Sequence, residues 1–150
     1  MVSSEDIKLI PEALSNLKPN AKWAAKDAEI QWLDKEQSQP TDDEIKAEIN
    51  RLKIVKEKEE QRQEAKAKKD KALQANTYTL SDGSVYQVRP QDLPNFQAAI
   101  QLNQDTNWIL KDNTIRTTTI DELKEILENG IKQAKAIYQE YIDTLKSIGK

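Results

Sequence analysis

The feature that most constrains this sequence is a charged segment from Thr41 to Ala75 that contains neither glycine nor proline. Most of its residues are strong helix formers. Pro40 precedes it, and Thr41 with Glu44 three residues later forms the capping box of a helix start. We therefore expect one continuous helix of ~35 residues, about 50 Å long at ~1.5 Å per residue.

The apolar residues of this segment keep helical spacing only in its first half, at Ile45, Ile49, Leu52 and Val55. The stretch 56–71 holds nothing more apolar than alanine. A helix that is polar on all sides is typical of a spacer or of a weak bundle. We interpret the segment as a spacer between two small modules, and the four apolar residues as a candidate oligomer seam.

The composition argues against several kinds of chemistry. The chain of 150 residues has a net charge of −3 and contains neither cysteine nor histidine. Without them there is no thiolate zinc site, no disulfide, no cysteine nucleophile and no catalytic histidine. Its three glycines lie too far apart for a phosphate-binding loop. We predict no enzyme activity, no metal or other cofactor and no small-molecule substrate.

Nucleic acid and membrane are also not expected as partners. The acidic balance disfavours binding to a phosphate backbone, which needs a field of one positive sign. No apolar run approaches the ~18 residues of a membrane span, and the start of the sequence lacks a signal-peptide pattern. The sequence therefore predicts neither a span nor a secretory leader.

Residues 1–40 predict a short helical piece followed by a hairpin. Pro11 is expected to start a second helical turn. Further on, apolar residues alternate on both sides of a polar turn at Asp27, which predicts two strands with Trp23 and Trp32 on one face. The two tryptophans form either the core of this small module or a binding platform.

The next part of the chain, 76–119, predicts two hairpins with a helix between them. The dipeptide Asp82-Gly83 between alternating apolar residues is a strong hairpin signal, and polar residues around Asp112 mark a second turn. We expect the hairpins to pair into a small antiparallel sheet. The predicted core of this part consists of Tyr78, Tyr86, Phe96, Ile100, Trp108 and Ile115.

A long amphipathic helix is predicted from Thr119, which forms a capping box with Glu122, to about Ile148. Asn129-Gly130 lies inside it, and the glycine is expected there either to bend the helix or to allow close packing. Its apolar stripe is wider than a small sheet can cover, so we predict a partner on it. The candidate interface residues are Leu127, Ile131, Ala134, Tyr138, Tyr141 and Leu145.

These patterns together predict an α+β fold. A small helix-hairpin module at 1–40 is followed by a long charged helix at 41–75. A C-terminal module at 76–150 then combines antiparallel hairpins with a long amphipathic helix.

Several stretches are similar to known phage proteins. The second half, with YTLSDGSVYQV, PQDLPNFQAAI, Trp108 and TTIDELKEI, resembles a domain of unknown function found in bacteriophage tail and tail-fibre proteins. The first half, with ALSNLKPNAKW, IQWLD and QPTDDEIKAEI, resembles the opening of small tail-fibre assembly proteins.

The resemblance implies a non-enzymatic protein encoded near tail-fibre genes. Its expected partners are itself, as a homo-oligomer guessed to be a trimer, and phage tail or tail-fibre proteins. It would stay in the virion as a small structural or adaptor component. Two alternatives remain open: a tail-fibre assembly chaperone that stays in the host cytoplasm, and a generic protein-interaction module.

Overall fold

A computed structural model describes residues 3–26 and 29–149. The predicted turn at Asp27 lies outside the described residues. The α+β fold class is confirmed, with a long central helix, three small antiparallel hairpins and a long last helix. In order, the elements are α1 (Ser4–Leu17), β1 (Trp23–Lys26), β2 (Glu29–Trp32), α2 (Asp42–Gln74), β3 (Thr77–Thr79), β4 (Val85–Gln87), α3 (Leu93–Gln101), β5 (Thr106–Ile109), β6 (Ile115–Thr118) and α4 (Ile120–Ile148).

The chain divides into two compact units, residues 1–60 and 61–150. The division falls within α2, so each unit contains part of this helix. Both predicted capping boxes are present. Thr41 Oγ1 accepts a hydrogen bond from the backbone N–H of Glu44 at 3.1 Å, and Thr119 Oγ1 accepts one from Glu122 at 3.2 Å.

The first unit is built on α1, the β1–β2 hairpin and the beginning of α2. In the hairpin, Trp23 lies opposite Trp32. Pro11, expected to start a second helical turn, lies inside α1, which runs through it as one helix. Pro11 itself is exposed, whereas Ile10, Ala13 and Leu14 on either side of it are buried, and this packing stabilises the helix. The core of this unit contains Ile10, Ala13, Leu14, Ile45, Ile49 and Leu52.

The second unit packs two hairpins and α3 against α4. The Phe96 ring stacks on that of Trp108 with centroids 4.1 Å apart, and it lies tilted against Tyr86 at 6.4 Å. The buried cluster consists of Leu80, Tyr86, Val88, Phe96, Ala99, Leu110, Leu123 and Ile126.

The two hairpins of the second unit do not merge into one sheet as predicted. In the described residues, β3–β4 and β5–β6 are separate two-stranded sheets. The backbone N–H of Lys111 donates to the carbonyl of Val85 at 3.0 Å, which links the second hairpin to the first. Each hairpin instead contributes residues to the buried cluster with α3 and α4: Leu80, Tyr86 and Val88 from the first and Leu110 from the second.

Ile115 was predicted in the core but is 72% exposed. The register of the second hairpin explains this, because Trp108 lies opposite Arg116 and Ile109 lies opposite Ile115. Neighbouring residues of a strand point to opposite faces. Since the Trp108 ring packs on the core, the pair Ile109 and Ile115 faces away from it.

Several turns use a left-handed backbone conformation. Asn20, Asn103 and Asn113 have φ of 64°, 54° and 68°, and Gly83 in the first turn of the second unit has φ of 89°. Asparagine tolerates this region because its short side chain can hydrogen-bond locally. In the described residues, no helix is both long and apolar enough to cross a membrane.

Candidate interaction surface

The two halves of the last helix, α4, differ in how far their apolar residues are buried. In its first half, Leu123 and Ile126 are fully buried and Leu127 packs beside them against the second core. Beyond Gly130 the apolar positions continue at helical spacing, but within the part of the chain that the structure describes they do not belong to the buried cluster of the second unit. The second half of the helix therefore presents the apolar stripe that the sequence predicts.

Three large apolar side chains on this half are exposed and share one helix face. Ile131 is 44% exposed, Tyr138 45% and Ile142 41%. Their spacings of seven and four residues place them one above another on the helix. We call these three residues the α4 stripe. Ala134, Tyr141 and Leu145 lie beside it and are partly buried.

The tyrosines of this half pack against a lysine of α2. The ammonium of Lys69 lies 4.9 Å from the ring centroid of Tyr141 and 5.6 Å from that of Tyr138. These distances are within the range of cation–π attraction. The pKa of Lys69 is raised, mainly by its hydrogen bond to Asp70 and also by the two tyrosines.

Polar contacts attach the end of α4 to the second part of α2. Lys68 Nζ lies 2.9 Å from Glu140 Oε1, and Arg62 Nη2 donates to the carbonyl of Gly149 at 2.7 Å. The side chains of Lys68 and Glu140 are 76% and 66% exposed, so this pair contributes only about 0–1 kcal/mol. A groove of about 490 Å³ runs between the two helices over Ala65.

Most of the oligomer seam predicted on α2 is buried within the first unit. Ile45, Ile49 and Leu52 are buried in the first core, where α1 covers them. Val55 is 50% exposed. Three of the four residues are therefore unavailable to a second folded copy. Their spacing identified an apolar face, and α1 of the same chain occupies it.

The remaining predicted site residues lie in the two cores, apart from Ile115. Trp23 and Trp32 pack against the first core, and Trp32 Nε1 donates to the carbonyl of Gln37 at 2.8 Å. In the second unit, Tyr86 and Phe96 are fully buried, while the partly buried Tyr78, Ile100 and Trp108 pack around the buried cluster.

Sequence reasoning missed a polar network centred on Arg116. Its guanidinium donates to Glu122 at 2.7 and 3.1 Å, to Asp82 at 3.1 Å and to the hydroxyl of Tyr86 at 3.0 Å. Tyr86 Oη also lies 2.6 Å from Thr118 Oγ1. The hydrogen bond from Arg116, followed by the capping contacts of Thr119, lowers the pKa of Glu122 to about 2.

This network has the features of a structural element. It joins the turn of the first hairpin, the second hairpin and the start of α4, and both of its carboxylates, those of Asp82 and Glu122, already accept hydrogen bonds from Arg116. Within the described residues, no group of three acidic, histidine or cysteine side chains could hold a metal ion. Among the described residues, the α4 stripe is one surface with exposed apolar area, and the outward-facing pair Ile109 and Ile115 is another.

Comparison with known proteins identifies one family. The family described as "Domain of unknown function (DUF4376)" matches residues 56–148, which include the second part of α2 and all later elements. No curated protein matches the chain. No solved structure matches it either.

Proposed function

The chain belongs to the DUF4376 family, whose description assigns no activity, and we propose that it is a non-enzymatic bacteriophage tail protein. In this proposal it is a small structural or adaptor component of the tail or tail fibre and acts by binding other proteins. The single observation that carries the binding role is the exposed α4 stripe.

The composition of the stripe favours a protein partner. Tyr138 and the two isoleucines expose large apolar side chains on one continuous helix face. Contiguous apolar patches of a few hundred Å² on a protein surface commonly mark interaction sites, and tyrosine is enriched in such interfaces. A partner that covers the α4 stripe would remove its exposed apolar surface from water, which contributes about 25 cal/mol of binding free energy per Å².

The phage context comes from the sequence. The stretches 78–88, 90–100 and 118–126 resemble a domain of tail and tail-fibre proteins, and 13–23 and 39–49 resemble small tail-fibre assembly proteins. By analogy with threefold fibres, we propose a homotrimer that also contacts a tail or tail-fibre protein. The place of action would be the virion.

The proposal is tested first in solution, by light scattering of the purified protein. The double variant Tyr138→Lys with Ile142→Lys places two charges on the stripe and should convert the oligomer to a monomer. Ile115→Lys is the matched control, since Ile115 is more exposed but lies on the second hairpin. A wild-type monomer, or an oligomer unaffected by the double variant, would contradict self-association through α4.

The second test is mass spectrometry of purified phage particles. A tail component should be found at a fixed ratio to the fibre protein. Absence from the particles, together with a monomer or dimer in solution, would contradict the structural role. It would instead favour the assembly chaperone, for which the α4 stripe would be a transient client-binding face.

A further inference from the structure

The two hairpins of the second unit repeat one sequence frame. In each, an aromatic residue stands two positions before a leucine, and the turn ends on a hydroxyl residue followed by a β-branched aliphatic residue. Leu80, Asp82 and Gly83 of the first hairpin correspond to Leu110, Asp112 and Asn113 of the second. The hairpins can therefore be compared position by position.

The backbone of the two turns is also the same. In each turn the N–H of the leucine donates to the carbonyl of the hydroxyl residue, at 2.9 Å in the first hairpin and 2.8 Å in the second. The carbonyl of each leucine accepts from Gly83 or Asn113 at 2.9 Å, and both of these residues have positive φ. This is the three-residue hairpin loop that ends in a bulge. Val85 of the first hairpin thus corresponds to Ile115 of the second in structure as well as in sequence.

The hydrogen bonds of the turn fix the direction of the backbone groups that follow it. Leu110 and Thr114 are a hydrogen-bonded pair, and such pairs alternate with non-hydrogen-bonded pairs along an antiparallel ladder. The next pair, Ile109 with Ile115, therefore turns its N–H and C=O groups away from the partner strand. The same holds for Thr117, two residues further along β6. The backbone groups of Ile115 and Thr117 form the outer edge of this strand.

In the first hairpin the chain itself covers the corresponding edge. By the same alternation the carbonyl of Val85 points outward from β4, and it accepts the backbone N–H of Lys111 at 3.0 Å. Val85 is partly buried. The cover is the turn of the second hairpin, so at this edge a backbone donor of a neighbouring segment satisfies the outward carbonyl.

The second hairpin has no equivalent cover among the described residues. There β6 pairs only with β5, and neither the N–H and C=O of Ile115 nor the N–H of Thr117 has a partner. The carbonyl of Thr117 accepts a hydrogen bond from Nη1 of Arg116 at 3.4 Å. Ile115, which corresponds to the partly buried Val85, is 72% exposed beside the 65% exposed Ile109. The position that is filled in the first hairpin is therefore open in the second.

An extended polypeptide segment fits this open edge. Its N–H and C=O groups would pair with those of β6, and the side chains of one of its faces would lie beside Ile115. The four cross-strand residues on the exposed face of the hairpin are uncharged: Asn107, Ile109, Ile115 and Thr117. A matching strand therefore carries uncharged, β-branched side chains on this face.

A second copy of β6 fits the edge less well. The antiparallel register that bonds both Ile115 and Thr117 of one copy to those of the other would place the two Arg116 side chains directly opposite each other. Hydrogen bonds to Asp82 and Glu122 hold each guanidinium in place. Like charges at opposite positions of a ladder are destabilising, which favours a strand of a different protein.

We propose that β6 docks an extended strand of a partner protein, which pairs with the free backbone groups of Ile115 and Thr117 and covers the Ile115 side chain. This site is a strand edge and does not involve the α4 stripe, so the proposal is independent of self-association through α4. Ile115→Lys, the control variant in the light-scattering experiment, should weaken strand docking while leaving the oligomer intact.

The test uses the full chain and a labelled peptide in which isoleucine and threonine alternate over about seven residues, between pairs of lysines that keep it soluble. A matched peptide is N-methylated at each central residue, which removes the N–H donors and keeps the side chains. Fluorescence anisotropy should show saturable binding of the first peptide with Kd below about 1 mM, and binding of the methylated peptide at least about tenfold weaker.

Amide hydrogen exchange, measured by NMR, locates the added strand. Exchange at Ile115 and Thr117 should slow when the peptide binds, because their N–H groups become hydrogen-bonded. Asn107 and Ile109 lie in the same pairs but point outward from β5, at the opposite edge of the hairpin. Exchange at these two amides should not change.

Two proline variants form a matched pair. Thr117→Pro removes an outward N–H from β6 and Asn107→Pro removes one from β5, and proline is tolerated at such positions of edge strands. Both variants lose the same side-chain hydrogen bond, from Thr117 Oγ1 to Asn107 Oδ1 at 2.8 Å. Thr117→Pro should weaken peptide binding by about two- to tenfold, and Asn107→Pro should leave it unchanged.

Several results would overturn the proposal. These are no saturable binding, unchanged exchange at Ile115 and Thr117, equal binding of the methylated peptide, or equal losses in the two proline variants. Slowed exchange at Asn107 and Ile109 instead would place the strand on β5 and refute the assignment to β6. Slow exchange at Ile115 that depends on protein concentration without peptide, and is lost in Thr117→Pro, would replace the partner protein by a second copy.

Discussion

Gly130 provides the sharpest test of how the second unit packs. A methyl group at this position would lie 2.9 Å from Val88 Cβ, 3.1 Å from Val88 Cγ1 and 3.2 Å from Leu93 Cδ2. The nearest atom is attached directly to the backbone of Val88, so rotation of a side chain cannot move it away. That backbone is also fixed by Asn76, which donates to the Val88 carbonyl at 3.1 Å and accepts from its N–H at 3.0 Å.

The variant Gly130→Ala therefore involves two opposing effects. Alanine in a helix interior is favoured over glycine by ~1 kcal/mol. Forcing a methyl group into a filled core costs typically about 1–3 kcal/mol. Because the closest contact is below 3.0 Å and rigid, we place the cost near the upper end and expect a net destabilisation of about 1–2 kcal/mol.

The assay is urea unfolding at equilibrium, followed by the NMR side-chain signal of Trp108, which reports the second core. Ala136→Gly is the matched control, since Ala136 is exposed on the same helix and its replacement isolates the helix-propensity effect. Both variants should be less stable than wild type. If Gly130→Ala is instead more stable than wild type by ~1 kcal/mol, helix propensity alone accounts for the change, and close packing against Val88 contributes nothing to it.

Two further predictions concern the Arg116 network. The pKa of Glu122 is about 2 in the folded chain against an ordinary 4.5, so its stabilising contribution should be fully present above about pH 4.5 and lost as the pH falls towards 2. In urea titrations at stepped pH, the stability gap between wild type and Glu122→Gln should narrow over this range; a constant gap would contradict the assignment. Tyr86→Phe removes the partner of Thr118 Oγ1 and of Arg116, and should cost about 1–2 kcal/mol in the same assay, whereas an unchanged midpoint would show that the hydroxyl contributes nothing.

The features that could be predicted from the sequence depend on residues close together in the chain. The capping boxes at Thr41 and Thr119 and the turn at Asp82 involve side chains within three residues of the backbone groups they bind. The order of helices and hairpins follows from such signals together with apolar spacing. These features establish the α+β class.

The features that could not be predicted depend on distant pairing. Ile115 is as apolar as a core residue should be, but the position of Trp108 opposite Arg116 turns it outward. Arg116 meets Asp82 across 34 residues of sequence, and no local pattern connects them.

The first part of α2 illustrates the same limit for the candidate site. The spacing of Ile45, Ile49 and Leu52 shows an apolar face but carries no information on what covers it. On α2 the cover is α1 of the same chain, whereas on α4 the stripe stays exposed in the structure.

The asparagines at left-handed backbone positions affect the unfolded chain as well as the turns. Asn20, Asn103 and Asn113 stand where many proteins would use glycine, and the whole sequence contains only three glycines. A side chain at such a position restricts the conformations of the unfolded polypeptide, an effect of up to about 0.4–1 kcal/mol per residue when the native conformation is tolerated. The unfolded state of this chain therefore has less conformational entropy to lose on folding, through Asn20 in the first unit and through Asn103 and Asn113 in the second.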